Sequence, residues 1–452
     1  MPCQGINTNE KKAEMTSLNS THGPLKFSGG YARYLLLAVF FLLTFRTFQF
    51  FPGMAIVKEA WLVCAFLFLI IPYLYWKASS GWVVSAFELY IMGMIVFIPL
   101  LSGINAWREF EQPIIYGVLA QRNIILGAGA LAMIYALRKH LINLPDVEKS
   151  LLLLAWGTLL IYPLIDAIFD PAQFADASIG FVGGGNIGDA SFKFDATFII
   201  FGFFYFAFLG LRNRSRRFWL LSLPFIAYLV LVGSGRSLLV SLLGSFAFFA
   251  YRWSSLRRLA VFAPKLFAVG VLFTLLLYAT NADLVTHRVS KFGDAFTVAT
   301  TGQFTEDASA NARIVETLIA TPYIRKHWLL GNGDISNQWH GGYEAALGGY
   351  FYPSDIGIIG IMFLYGSLGV LLYATQFVFA IRFSRRIPKE FGSLPLLDAT
   401  KGFLLYLAIH SLVTGKLAHY SEVSFLFIAL MGYIAYETRN SLVNNDQPVP
   451  KV

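Results

Sequence analysis

The residues best able to do chemistry in this chain are arginines that a membrane topology does not need where they stand. Arg236 lies in VGSGRS between two apolar runs of about 15 and 13 residues, or about 22 and 20 Å at the helical rise. Both are shorter than a hydrocarbon core of about 30 Å, so the tip of this hairpin is expected to be recessed and Arg236 to line a pocket. A recessed guanidinium is costly unless hydrated or paired. Its planar fork fits a phosphate or pyrophosphate bidentately; the alternative is an arginine that snorkels from a turn. Arg313 opens ARIVETLIATPYIRKHW and stands one helix length before LLGNGD, whose glycines are expected to let backbone approach an anion. Arg288 precedes it on the same segment, and Arg122 falls inside an apolar run. These four are the expected anion-binding set, although Arg122 and Glu88 can equally neutralise one another across two spans.

Transfer onto a hydroxyl also needs a base. His340 in NQWHGGYE and Asp355 are taken as the catalytic candidates, with Glu344 and His419 behind them. Trp328, Trp339, Tyr343, Tyr350, Phe351 and Tyr352 crowd the same region, as a sugar-stacking surface would, and as a membrane interface would. Arg46, Asp166 and His410 are further ionisable residues at membrane depth, where charge is expensive and marks function by default; His410 reads as a satisfied interior histidine. The close acidic pair Glu109 and Glu111 on the outer side reads equally well as a polar turn. No phosphate-binding loop, His-Glu-x-x-His or Asp-x-Asp occurs, and the only cysteines are Cys3 and Cys64. No metal and no cofactor are expected.

The elements that must carry these groups are membrane helices. Of 452 residues, 56% are hydrophobic and 13% charged, about half the charge of a soluble domain, and mean hydropathy is +0.60. Apolar runs occur near 34–51, 61–76, 83–101, 114–137, 151–168, 194–211, 218–232, 238–250, 259–279, 356–381, 402–417 and 423–436. The expected fold is therefore an all-α polytopic membrane protein of about twelve transmembrane helices. Most basic residues fall in alternate connections, around Lys77, Arg138, Arg212, Arg252, Arg386 and Arg439, which by the positive-inside bias makes both termini cytoplasmic. Orientation thus accounts for the +9 net charge better than nucleic acid does. The polar start lacks a cleavable signal pattern and reads as a tail before a retained anchor. The organisation expected is a cytoplasmic tail (1–32), nine spans (33–279), a long outer loop with an amphipathic helix (280–350), three spans (351–437) and a second tail (438–452). The stripe Ile314, Leu318, Ile319, Ile324 would let that loop helix lie flat on the bundle.

Several of these pieces, over 229–371, read together resemble the O-antigen polymerase and ligase superfamily. They are LVLVGSGRSLLVSLLG, similar to a Ser-Arg-Gly-like turn between spans; ARIVETLIATPYIRKHWLLGNGD in the long loop; and YPSDIGIIGIMFLYGSLGVLLY, similar to an acidic-x-Gly-x-x-Gly start of the next span. Three departures stand out. The turn reads Gly-Arg-Ser at 235–237, Trp328 replaces the usual proline, and the His-Asn pair expected near Ala346 is missing. Because ligases rely on that histidine, its loss leans toward polymerase and leaves His340 to serve from a different place. The resemblance implies a polysaccharide polymerase in the bacterial inner membrane. Its donor and acceptor would be undecaprenyl-pyrophosphate-linked glycans, among membrane lipids and with a chain-length regulator as a further partner. A ligase acting on lipid A core is the alternative, and a transporter or lipid-oligosaccharide flippase the second.

Overall fold

The computed structural model describes residues 30–47, 54–170, 182–183, 191–192, 194–231, 236–253, 301–348, 351–388 and 394–445, with isolated residues between 278 and 300. Apart from a two-residue antiparallel pair, Val182–Gly183 with Ser191–Phe192, its regular elements are helices. Four are long and apolar enough to cross a membrane: Ile56–Ser79, Ala86–Phe110 (α1), Leu144–Ile168 (α2) and Gly357–Arg386. Ile114–Ala120 and Arg122–Arg138, bent by 46°, make a fifth if they count as one span. The chain is an all-helical membrane protein. Thr197–Asn213 (α3), Arg216–Leu231 (α4) and Arg236–Trp253 (α5) are shorter. The apolar run at 259–279 apart from Tyr278, the polar start, Arg288 and Tyr350 lie outside the described residues.

Helix α3 shows why the bundle holds. Its sequence TFIIFGFFYFAFLG is apolar on every side and nearly all of it is buried, as a helix without a polar face must be. Phe201 stacks on Phe427 at 5.7 Å and Phe208 on Phe246 at 6.0 Å, which ties three segments distant in sequence to one axis. Such ring pairs add about 0.5–1.5 kcal/mol beyond the area they bury.

Helix α1 starts with a capping box. The Ser85 amide donates to Glu88 Oε2 at 2.7 Å, and the Glu88 amide donates to Ser85 Oγ at 3.3 Å. The box holds the Glu88 carboxylate in the first turn, where Lys77 Nζ lies at 2.9 Å and Arg138 Nη1 at 3.7 Å. The expected Glu88–Arg122 pair is therefore not formed. Arg122 sits at the bend between Ile114–Ala120 and Arg122–Gly127 and binds Glu59 instead, with Nε 3.0 Å from both carboxylate oxygens.

The span Gly357–Arg386 (α6) is broken at Gly366, where φ is 64° and ψ −166°. A break strands backbone donors and acceptors, and inside a membrane protein these must find partners. The loop segment before α6 supplies them. The Asn332 and Gly333 amides donate to the Phe363 and Leu364 carbonyls, both at 2.8 Å, while the Ser367 and Leu368 amides donate to the Trp328 and Leu329 carbonyls at 2.8 and 3.1 Å. A Cβ on Gly331 would meet the Tyr365 amide, and one on Gly333 the Ser102 carbonyl. The glycines of LLGNGD thus admit a neighbouring helix backbone; the expectation that they cradle an anion is corrected.

Candidate functional site

The loop helix Ala308–Lys326 (α7) is present where the sequence expected it, and its inward face coincides with the expected stripe only in part. Ala310, Glu316 and Ala320 are buried, whereas Leu318, part of the expected apolar stripe, is 64% exposed. Ile319 and Ile324 of the stripe still pack against the core together with Tyr323, so the stripe accounts for part of the docking and the small residues and one carboxylate for the rest. Asp307 caps it, its Oδ1 accepting from the Ser309 and Ala310 amides at 3.0 and 3.2 Å. The same carboxylate forms an ion pair with Arg236 at the start of α5. Burial alone would raise the Asp307 carboxyl, yet Arg236 and the two amides outweigh it and hold the group below the usual carboxylate range. Arg236 remains one-fifth exposed. The sequence expected a recessed guanidinium that needs a partner, and the partner is the protein's own helix cap.

Arg313 lies six residues beyond the cap, or about 9 Å along the axis. Three residues on, and so beside it on the helix surface, comes Glu316. This side chain is fully buried. Its Oε1 accepts from the Tyr352 amide at 3.1 Å, and Oε2 has no hydrogen-bond partner among the described residues. Burial first, and then the nearby Asp355 carboxylate, push Glu316 up to about 7 against the opposing pull of the Tyr352 amide and Arg313. Two carboxyl groups in mutual repulsion, one of them titrating near neutrality, are suited to take a proton from a hydroxyl. Asp355 is carried on the short turn Pro353–Asp355 that leads into α6, with Ser354 Oγ 3.2 Å from its Oδ1.

The turn is tied to a second charged cluster. The Gly415 amide donates to the Ser354 carbonyl at 2.6 Å, which brings the segment 415–422 alongside Asp355. There Arg46 Nη2 lies 2.6 Å from Glu422 Oε1, donates to the His419 carbonyl, and its guanidinium stands 4.2 Å over the Tyr420 ring. Burial, aided by Arg46, pushes the His419 imidazole down to about 4, so that it is neutral at physiological pH. Its Nε2 is buried without a hydrogen-bond partner among the described residues.

Of the sequence candidates, Asp355 and Arg313 meet at Glu316, Arg236 joins the same helix at its cap, and His340 does not belong to the group as described. His340 is exposed, adopts φ 48°, stands edge-on to Trp339 at 4.8 Å and lines a shallow hollow with Glu109 and Glu111. Arg122 is committed to Glu59. Glu109 pairs with Lys326 and His327, and no metal-ligating cluster occurs among the described residues. Tyr343 and Phe351 are core residues packed 5.5 Å apart, while Trp328 and Tyr352 remain on the surface. Sequence reading missed Glu316, although Arg-x-x-Glu on a helix was there to find. It also missed Asp334 of LLGNGD, a half-buried brace whose carboxylate accepts from Tyr343 Oη at 2.5 Å and from Gln121 and which desolvation raises to about 6.

The class defined by these features is that of a helical membrane protein with a charged cluster built around the polar helix α7. In comparisons with known protein families and with curated proteins, nothing matches this chain.

Proposed function

We propose that this chain is a polysaccharide polymerase that joins lipid-pyrophosphate-linked oligosaccharide repeats. In this reading it has about twelve spans, both termini in the cytoplasm, and α7 on the outer, periplasmic side of a bacterial inner membrane. The observation that carries the proposal is the convergence on α7 of Arg236 through Asp307, Arg313, and the Glu316–Asp355 carboxyl pair. The resemblance of 229–371 to O-antigen polymerases supports it independently of that geometry.

The chemistry follows from the charges. The bond between the donor's reducing-end carbon and the phosphate oxygen breaks, its electron pair leaving with the pyrophosphate, while an acceptor hydroxyl oxygen bonds to the same carbon. Charge therefore builds on the leaving group, and preorganised guanidinium donors lower the barrier. Arg313 and the exposed part of Arg236 fill that role. The hydroxyl proton passes to the carboxylate form of Glu316, which Asp355 keeps basic. The activated ester already stores the driving force, so the reaction needs no nucleotide at the outer surface. A ligase using lipid A core as acceptor would place the same groups in the same roles. A proton-coupled transporter would also have a use for the carboxyl pair, and the deletion phenotype separates the two.

Deletion of the gene should leave lipid-linked single repeats while long chains vanish; accumulation of long lipid-linked polymer would favour the ligase, and repeats trapped on the cytoplasmic leaflet a flippase. Within the polymerase, Arg236→Lys and Arg313→Lys keep the charge but lose the fork. Each should lose about two to three decades in rate at matched protein level, with Arg325→Lys silent. Parent-like polymer from both variants would overturn the pyrophosphate assignment.

A further inference from the structure

At the end of the bundle where Lys77 meets Glu88, a pocket of about 470 Å³ opens between α1, the Ala128–Arg138 helix, α6 and Ser421–Asn445 (α8). Three arginines line it, Arg138, Arg386 and Arg439, together with the aromatic rings of Phe383, Tyr433 and Tyr436. Their position in the fold is informative. Arg138 and Arg386 are the last residues of two candidate spans, and α1 starts beside them, so the pocket lies at the level where hydrocarbon gives way to headgroups. The Arg138 guanidinium stands 5.3 Å over the Tyr436 ring, and Tyr436 is 47% exposed, a placement typical of the interface.

The charges do not balance among the described residues. Glu88 is claimed by Lys77 at 2.9 Å before Arg138 at 3.7 Å, and Glu437 lies against Tyr433. Arg386 and Arg439 are exposed and form no ion pair among the described residues. A general positive-inside bias asks only for basic residues at this end. It does not ask that three of them converge on one cavity with an apolar and aromatic wall. That combination matches an anion attached to hydrocarbon: guanidinium forks for the phosphodiester, and aromatic and aliphatic surface for what hangs below it.

We propose that this pocket binds the headgroup of an anionic phospholipid, holding the ends of α1, α6 and α8 together. The site is separate from the α7 cluster and does not depend on the reading of that cluster as a glycosyl-transfer centre.

The test uses the full chain purified in a neutral detergent, with thermal unfolding and native mass spectrometry as readouts. Phosphatidylglycerol should raise Tm and stay bound on native mass spectrometry, whereas phosphatidylcholine and inorganic phosphate should do neither. Because Arg386 and Arg439 are exposed, the double variant Arg386→Gln/Arg439→Gln should fold like the parent and bind phosphatidylglycerol about tenfold more weakly or worse, as loss of charge-assisted hydrogen bonds implies. Arg382→Gln/Arg385→Gln removes the same charge from exposed positions of α6 that do not line the pocket, and should keep parent affinity. An equal loss in both double variants would mean a diffuse basic surface and overturn the site. A shift produced by inorganic phosphate alone and abolished by Arg386→Gln/Arg439→Gln would show a free-anion site, and the lipid assignment would fall. No preference for phosphatidylglycerol over phosphatidylcholine in the parent would refute the proposal outright.

Discussion

Glu88 and Glu316 are both fully buried glutamates, yet they sit in opposite electrostatic settings. Glu88 has a capping box, a lysine at 2.9 Å and an arginine at 3.7 Å. Glu316 has one backbone amide, an oxygen without a hydrogen-bond partner among the described residues, and a second carboxylate nearby. A buried charge is tolerated when paired and hydrogen-bonded; the first site meets that condition and the second does not. The pairing at Glu88 fastens the ends of two helices. The deficit at Glu316 raises its affinity for a proton, which is what a base working near neutral pH requires. Two carboxylates of equal burial can thus differ in purpose, and their partners tell them apart.

The largest expected effect separates the two by activity. Glu316→Gln keeps the shape but cannot take the proton, and polymerisation should fall by about two to four decades in an in vitro assay on lipid-linked repeats. In the parent the rate should climb as pH rises through about 7, and the variant should lose that limb. Unchanged polymer from Glu316→Gln would remove the distinction. Next comes stability. Glu88→Gln leaves the buried Lys77 without its carboxylate, and breaking such a pair typically costs about 3–5 kcal/mol. Abundance and Tm should drop, while activity per folded molecule stays near that of the parent. The smallest effect has the opposite sign. The folded Glu316 carboxyl titrates at about 7, above its ordinary value of 4.5. Its contribution to stability is full below that lower value and lost as pH rises through 7. Glu316→Gln should therefore unfold at a higher temperature than the parent at pH 8, and the difference should vanish by about pH 4. A Tm gap of one size at both pH values would mean that Glu316 titrates in the fold as it does in the unfolded chain.

Much of the fold was legible because membrane burial writes long signals. The runs at 83–101 and 151–168 became α1 and α2 with their ends shifted by a few residues, since about twenty apolar residues in succession have few alternatives. The run at 402–417 fared worse. The helix there is Pro395–His410, because Pro395 starts the helix ahead of Asp398 and Lys401, whose charges lower the hydropathy of its first turns, and the chain turns at Ser411 to reach the Ser354 carbonyl. The break at Gly366 was invisible, as GSLG in an apolar run reads as ordinary helix until the loop segment 328–333 is known to pair with it.

Composition and periodicity by themselves determined that this chain is a helical membrane protein, and residue type alone singled out Arg236, Arg313 and Asp355, since charge near an apolar run is costly enough to need a reason. Which charge meets which was decided only by tertiary structure. Arg236 found Asp307, Arg122 found Glu59, and Arg46 found Glu422 across 376 residues. Glu316 became a base candidate only when packing took away its water and set Asp355 beside it. Pairing depends on distances of a few ångströms between helices far apart in the chain. Hydrophobic pattern carries no information at that range: it fixes which residues leave water and is indifferent to which neighbour each one meets.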